Sequence, residues 1–217
     1  MNVESIELAG QQDFADAGGV FPLIYASADA PDLDASLTWL TENRERLLSE
    51  LATHGALLLR GFRVESDGDF DQLIQRFELP NFTYSDSLSN AVRRNRTKRV
   101  FTANEAPPEV SIYLHHEMAQ TPVFPSKLFF FCEQAQMSGG ATPLCRSDIL
   151  LSRLAVSRPE FVAACEERGV RYSNSMPATD DPSSGQGRSW RSTLSVTTAA
   201  EAEAKLTALN YSWEWHA

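Results

Sequence analysis

Two kinds of apolar spacing divide this chain, and their order limits the folds open to it. Between Asp34 and Leu51, the residues Leu37, Leu40, Leu47, Leu48 and Leu51 recur near helical spacing, with Glu42, Arg44 and Glu45 between them. Gly55 supplies a stop, and Ala56 to Leu59 read as a buried strand. Phe70, Leu73, Ile74 and Phe77 set one face of a second short helix. From Ser111 onward the pattern turns strand-like, through "SIYLHHEM", "KLFFFCEQ", "SGGATPLC" and "GVRYSNSM". Helical windows at 148–154, 159–168 and 198–209 interrupt and follow these runs. Helices first and strands with irregular connections later do not make the alternation of a doubly wound sheet. They predict an antiparallel β core with helices packed outside, in one domain over residues 1–217.

Composition narrows the function classes. The 217 residues suffice for one domain with a real core, and 42% hydrophobic with 22% charged content is ordinary globular usage. The net charge of −10 argues against a nucleic-acid partner, since duplex-binding surfaces are basic. One basic run, Arg93, Arg94, Arg96, Lys98 and Arg99, stands against that balance; it reads as a solvated loop, with contact to an acidic partner as the alternative. The three cysteines, Cys132, Cys145 and Cys165, are odd in number and contain no C-x-x-C pair, so neither a disulfide scaffold nor a structural zinc site is expected. That usage suits a cytoplasmic protein. The opening "MNVESIELAGQQDF" lacks the basic and apolar regions of a signal peptide, and no apolar run is long enough for a bilayer.

Chemistry concentrates in His115-His116-Glu117. In a strand, residues i and i+2 share a face, so His115 and Glu117 project together and His116 points away. An imidazole and a carboxylate converging in this way are two ligands of a facial triad, which a second histidine completes while leaving positions open for substrate and O₂. Alone, H-x-E is a short match. Ser111 and Tyr113 precede His115 at period two and are candidates to line the same pocket. Asn104 and Glu105, on the long irregular region 79–106, are candidates for substrate contact. Arg188, Trp190 and Arg191 lie beside Gly185 and Gly187 and read either as part of a lid or as a surface loop with an anchoring tryptophan. Phe129, Phe130 and Phe131 read as core strand, and His54 as a structural residue at a helix end.

The wider context, "SIYLHHEMAQTPVFPSKLFFFCEQAQMSGGATPLCRS", resembles the taurine dioxygenase and clavaminate synthase-like superfamily of Fe(II)/2-oxoglutarate oxygenases, in particular its syringomycin-biosynthesis-type branch. Members read L-H-x-E-M, an aromatic-rich strand, then G-G-x-T. The resemblance runs from about Phe21 to Trp215, with "GALLLRGF" near the front and "MPATDDPSSGQGRSWRST" near the back. It implies a double-stranded β-helix, or jelly roll, with flanking helices. It implies His115 and Glu117 as iron ligands, and Thr142 of Gly139-Gly140-Ala141-Thr142 as the hydroxyl that bonds the 2-oxoglutarate carboxylate. The implied activity couples oxidative decarboxylation of 2-oxoglutarate to hydroxylation of an amino acid, free or tethered to a carrier protein, in specialised metabolism such as antibiotic biosynthesis. A glutamate ligand fills the position that halogenases of this family leave open for chloride, so halogenation is not expected.

The same resemblance calls for a distal histidine followed by an arginine for the far carboxylate of 2-oxoglutarate. His216 is the only histidine after His116, and no arginine follows it. Its setting, "YSWEWHA", corresponds to a point before the distal motif, so it is not assigned as the third ligand. The jelly roll is therefore expected to be C-terminally incomplete, with an oligomer or a second polypeptide as ways to complete it. Two rivals stand beside the oxygenase: a non-catalytic binding or partner module of the same fold, and a different metal-dependent β-barrel such as a cupin-type isomerase or zinc hydrolase. The Gly-Gly-Ala-Thr segment speaks against the latter.

Overall fold

The computed structural model describes residues 1–82, 88–105, 107, 109–181, 183–184 and 186–216. Among these residues five strands come first: β1 Val3–Ser5, β2 Gln12–Phe14, β3 Gly19–Phe21, β4 Leu23–Ser27 and β5 Leu57–Arg60. Six α-helices follow or interleave: α1 Leu33–His54, α2 Asp67–Gln75, α3 Ser147–Ser157, α4 Pro159–Arg168, α5 Trp190–Leu194 and α6 Ala199–Ala208. The chain divides into two compact units, the first comprising Met1–Pro80 with Phe130–Gly169, the second Asn81–Phe129 with Val170–Ala217.

In the first unit, α1 starts where the Asp32 side chain accepts a hydrogen bond from the Ala35 amide at 2.8 Å, satisfying one of the helix's orphan N–H groups. It ends at Gly55, whose left-handed φ of 82° turns the chain while its N–H closes on the Leu51 carbonyl at 2.9 Å. The stop read at Gly55 is therefore the stop observed. The helix bridges β4 and β5, which pair in parallel with Leu23 opposite Leu57 and Tyr25 opposite Leu59. β1 adds antiparallel to the other edge of β4, giving the order β1-β4-β5, and β2 and β3 form a separate antiparallel pair. Leu37, Leu40 and Leu47 of α1 are buried, as are Leu23, Ile24 and Tyr25 of β4. Fully burying one such side chain stabilises by about 1.5–3 kcal/mol. Phe70 and Leu73 of α2 are buried in the same unit, and the Phe70 ring lies 5.4 Å from that of Phe131. α2 begins three residues before its expected apolar face because Ser66 caps it, accepting from the Asp69 amide at 3.1 Å.

The second unit centres on Leu88, Leu194 and Ala202, with Trp190, Val196, Leu206, Leu209 and Tyr211 packed against them. α6 opens on a reciprocal cap: Thr198 accepts from the Glu201 amide, and the Glu201 carboxylate accepts from the Thr198 amide.

Several expectations differ from this arrangement. Among the described residues no strand occupies 111–118, 127–134, 138–145 or 169–176, and Phe130 is exposed rather than core. A strand exists only through ladder partners, and apolar spacing does not say whether a partner is supplied. The first unit holds a parallel pair joined by a helix, where only antiparallel pairing was expected. The described sheets are small, so the structure is mixed α and β. α5, short and capped by Ser189, occupies part of the segment read as lid or loop, while Gly185 falls outside the described residues. None of the helices among the described residues is long and apolar enough to cross a membrane.

Candidate metal and co-substrate site

The segment carrying His115 and Glu117 runs into a tight turn. The Ala119 amide donates to the His116 carbonyl at 3.3 Å and the Thr121 amide to the Met118 carbonyl at 3.0 Å. Met118, buried at the corner, takes a positive φ of 60°, an uncommon conformation for a residue with a side chain. Thr121 secures the turn, its hydroxyl reaching the carbonyls of Met118 and Val123. Glu117 thus lies within this turn and outside any strand.

His115 is exposed, with Nδ1 at 2.7 Å from the Tyr113 carbonyl. A carbonyl only accepts, so Nδ1 donates in that bond, and in the neutral ring the lone pair is then on Nε2, the tautomer a metal-ligating histidine needs. Glu117 is half-buried, and its carboxylate meets Arg93: Nη2 lies 3.1 Å from Oε1 and 3.3 Å from Oε2. His116 and Glu117 both border an open cavity of about 520 Å³, whose wall continues through Phe124, Lys127 and Leu128. His115 is not part of that wall. The sharing of one face by residues 115 and 117 presumed a pleated strand, and a turn does not keep period two.

Arg93 owes its position to a hairpin-like loop. The Glu105 amide donates to Val92 and the Thr102 amide to Arg94, while Asn95 and Phe101 form an isolated antiparallel bridge. The Arg94 guanidinium pairs with Glu105 at 2.6 Å, which ties the two arms together. Sequence reading treated this basic run as solvated and so missed Arg93; its signal was a lone cationic stretch in an acidic chain.

The remaining candidates are placed as follows. Ser111 and Tyr113 are exposed, Tyr113 at 82%. The Asn104 Oδ1 is buried and makes no hydrogen bond. Arg188 donates to the carbonyls of Ser89 at 2.7 Å and Ser192 at 2.5 Å, so its guanidinium joins the distant Ser89 segment to α5. Thr142 belongs to the first unit and is exposed, after Gly139 and Gly140, both at positive φ (71° and 69°) as a tight glycine turn requires. A Cβ on Gly140 would stand 2.7 Å from Gln136 Cγ. His54 is structural, with Nδ1 at 2.8 Å from the Val20 carbonyl.

For ferrous iron, the donor types are right and their number is not. His115 offers a suitable nitrogen and Glu117 a carboxylate, but the carboxylate is held by Arg93. Among the described residues no three His, Cys, Asp or Glu side chains come together as a metal-binding group. The described residues therefore do not fit a complete three-donor iron site.

Comparison with known proteins supplies the context for these residues. Over 201 residues the chain is 39% identical to a clavaminate synthase-like protein of Arabidopsis thaliana, covering 90% of this chain and 60% of that protein. Over 122 residues it is 34% identical to the dapdiamide synthesis protein DdaC of Enterobacter agglomerans, covering 56% of this chain and 36% of that protein. The chain thus spans only part of the length of both relatives. Residues 20–206, which run through both compact units, match the profile of one family of oxygenases. The chain belongs to the taurine catabolism dioxygenase TauD, TfdA family.

Proposed function

We propose that this chain provides the iron-binding H-x-E segment and the 2-oxoglutarate-binding threonine of an Fe(II)- and 2-oxoglutarate-dependent oxygenase. His115 and Glu117 are the ligands it contributes, and Thr142 bonds the co-substrate carboxylate. The observation that carries this reading is the H-x-E to G-G-x-T constellation within a chain of the TauD, TfdA family. The proton on His115 Nδ1 supports it, because it leaves Nε2 as a donor. When bound, iron and 2-oxoglutarate would let O₂ oxidise a C–H bond to C–OH, with 2-oxoglutarate leaving as succinate and CO₂; the protein binds and orients the substrate.

The substrate class is an amino acid or a carrier-tethered amino acid in specialised metabolism, in line with a relative named for dapdiamide synthesis. Ser111, Tyr113, Asn104 and Arg188 are the proposed substrate contacts. Asn104 is favoured among them by its buried Oδ1, a polar atom with bonding capacity to spare. The fold of the complete domain is a jelly roll with flanking helices, and the protein works in the cytoplasm, where its three free cysteines stay reduced.

A second reading has an observation of its own. The pairing of Glu117 with Arg93, together with the missing third donor among the described residues, favours a non-catalytic partner module of the same fold. Anaerobic titration with Fe(II) and 2-oxoglutarate separates the two. The oxygenase reading expects the weak visible charge-transfer band of a chelated 2-oxoacid, saturating at one equivalent. A folded chain that gives no band is the partner module.

A further inference from the structure

The cavity bordered by His116 and Glu117 has a charge character of its own. Its wall runs on through Phe124 to Leu128 and lies wholly within the second compact unit. We propose that this cavity receives the free carboxylate of a small apolar acid, with the Lys127 ammonium as counterion. The inference rests on the reading of the cavity as the substrate site, and it separates two forms of substrate. A free acid fits; an acid tethered to a carrier as a thioester does not.

Besides the His116 imidazole, the lining carries two ionised residues, Glu117 and Lys127. The Glu117 charge is already met: Arg93 Nη2 lies 3.1 and 3.3 Å from its two oxygens, and the paired side chains are only 14% and 20% exposed. Together they present little net charge to the cavity. Lys127 is exposed, and among the described residues no carboxylate pairs with it. In a chain of net charge −10, this wall is therefore a local cationic exception. It attracts an anion. An α-ammonium group finds no unpaired carboxylate in the described lining, so the carboxylate is the charged group the wall selects.

The rest of the wall sets the body of the ligand. Phe124 and Leu128 are 65% and 47% exposed, and an alkyl or aromatic body lying over them takes that surface out of water. The volume of about 520 Å³ is that of a small-molecule site. The backbone leading into the wall is pinned, since the buried Thr121 hydroxyl bonds the Val123 carbonyl at 2.6 Å, one residue before Phe124. A wall held in place beforehand loses less freedom on binding than one that must first form. A lysine ammonium offers three donors and a full positive charge, which a carboxylate answers; a thioester carbonyl brings no charge.

The test is a backbone-amide NMR titration of the metal-free chain with three probes that share one alkyl body: hexanoate, hexanamide and the hexanoyl thioester of N-acetylcysteamine. Lys127→Met and Lys127→Arg are titrated beside wild type, each checked for folding by circular dichroism. Lys127 is exposed, so neither change removes a buried contact. Hexanoate is expected to shift the amides of Phe124, Lys127 and Leu128 saturably. Wild type is expected to bind it about fivefold tighter than hexanamide or the thioester, the upper range of an exposed ion pair. Lys127→Met is expected to lose that preference and Lys127→Arg to keep it. Equal binding of hexanoate and hexanamide, a preference that survives Lys127→Met, shifts confined to other residues, or no saturable shift with any probe overturns the carboxylate receptor. Thioester binding as tight as that of hexanoate overturns the choice of a free acid. None of the probes needs iron, so these outcomes leave the oxygenase reading to the separate titration with Fe(II) and 2-oxoglutarate.

Discussion

Arg93 and Glu117 lie 24 residues apart in sequence, yet one guanidinium nitrogen of the first stands within hydrogen-bonding distance of both carboxylate oxygens of the second. The pair joins a basic loop with no evident chemistry to the one acidic residue of the H-x-E segment. Any metal binding at Glu117 is measured against this contact.

Glu117→Ala removes the only carboxylate of the segment. It is expected to abolish Fe(II) binding, read by equilibrium dialysis under anaerobic conditions. Because the ion pair is largely buried, the same change takes a charged partner from Arg93 and lowers stability by about 1–3 kcal/mol. Stoichiometric Fe(II) retained by the folded variant would remove Glu117 from the ligand set.

Leu47 lies on the buried face of α1 and has no exposed surface. Leu47→Ala leaves a cavity under the helix and is expected to cost about 2–5 kcal/mol. The urea midpoint of the variant checks this. A shift worth less than about 1 kcal/mol would mean that α1 does not pack on its sheet as described.

Arg188, one of the proposed substrate contacts, holds two backbone carbonyls. Arg188→Ala is expected to destabilise the folded chain by about 1 to 3 kcal/mol with no ligand present, because those carbonyls lose a charged donor. An unchanged denaturation midpoint would return Arg188 to a role in substrate contact alone.

The cap of α6 is sensitive to acid. Hydrogen bonds from the Thr197 amide, then from the Thr198 amide and the Thr197 hydroxyl, pull the Glu201 carboxyl down to about 2 from its ordinary 4.5. A depressed folded-state pKa adds stability that is fully present above 4.5 and is lost as pH falls towards about 2. NMR titration of the Glu201 carboxyl carbon reads the midpoint directly, and an ordinary value would show that the capping box does not form in solution. Thr198→Ala removes the other half of the box and is expected to cost about 1 kcal/mol at neutral pH.

Most helices were legible because their determinants are local. Leu37, Leu40 and Leu47 mark a face by spacing, and Gly55 ends α1 through its own backbone freedom. α4 was read with its observed bounds, Pro159–Arg168, with proline at its first position and glycine after its last. α5 was missed because five residues are too few for a periodic signal. The strand-like segments were misjudged because period two reports an apolar face and not a neighbour. β4 was not read as a strand, since its parallel mate lies beyond the whole of α1.

The site divides along the same line. The order of residues within His115-His116-Glu117, and their kinship with an oxygenase family, are properties of sequence alone. Sequence also sets the positive φ at Gly139 and Gly140, because only glycine enters that backbone region without penalty. Tertiary structure alone decided that Glu117 faces Arg93, that His116 rather than His115 shares its cavity wall, and that Arg188 is tied to the carbonyl of Ser89. The physical reason is range. Capping and helical periodicity act over three or four residues, whereas a charge pair depends on where two distant segments stop. That is fixed by the hydrogen bonds of the 92–105 loop and the turn at Met118.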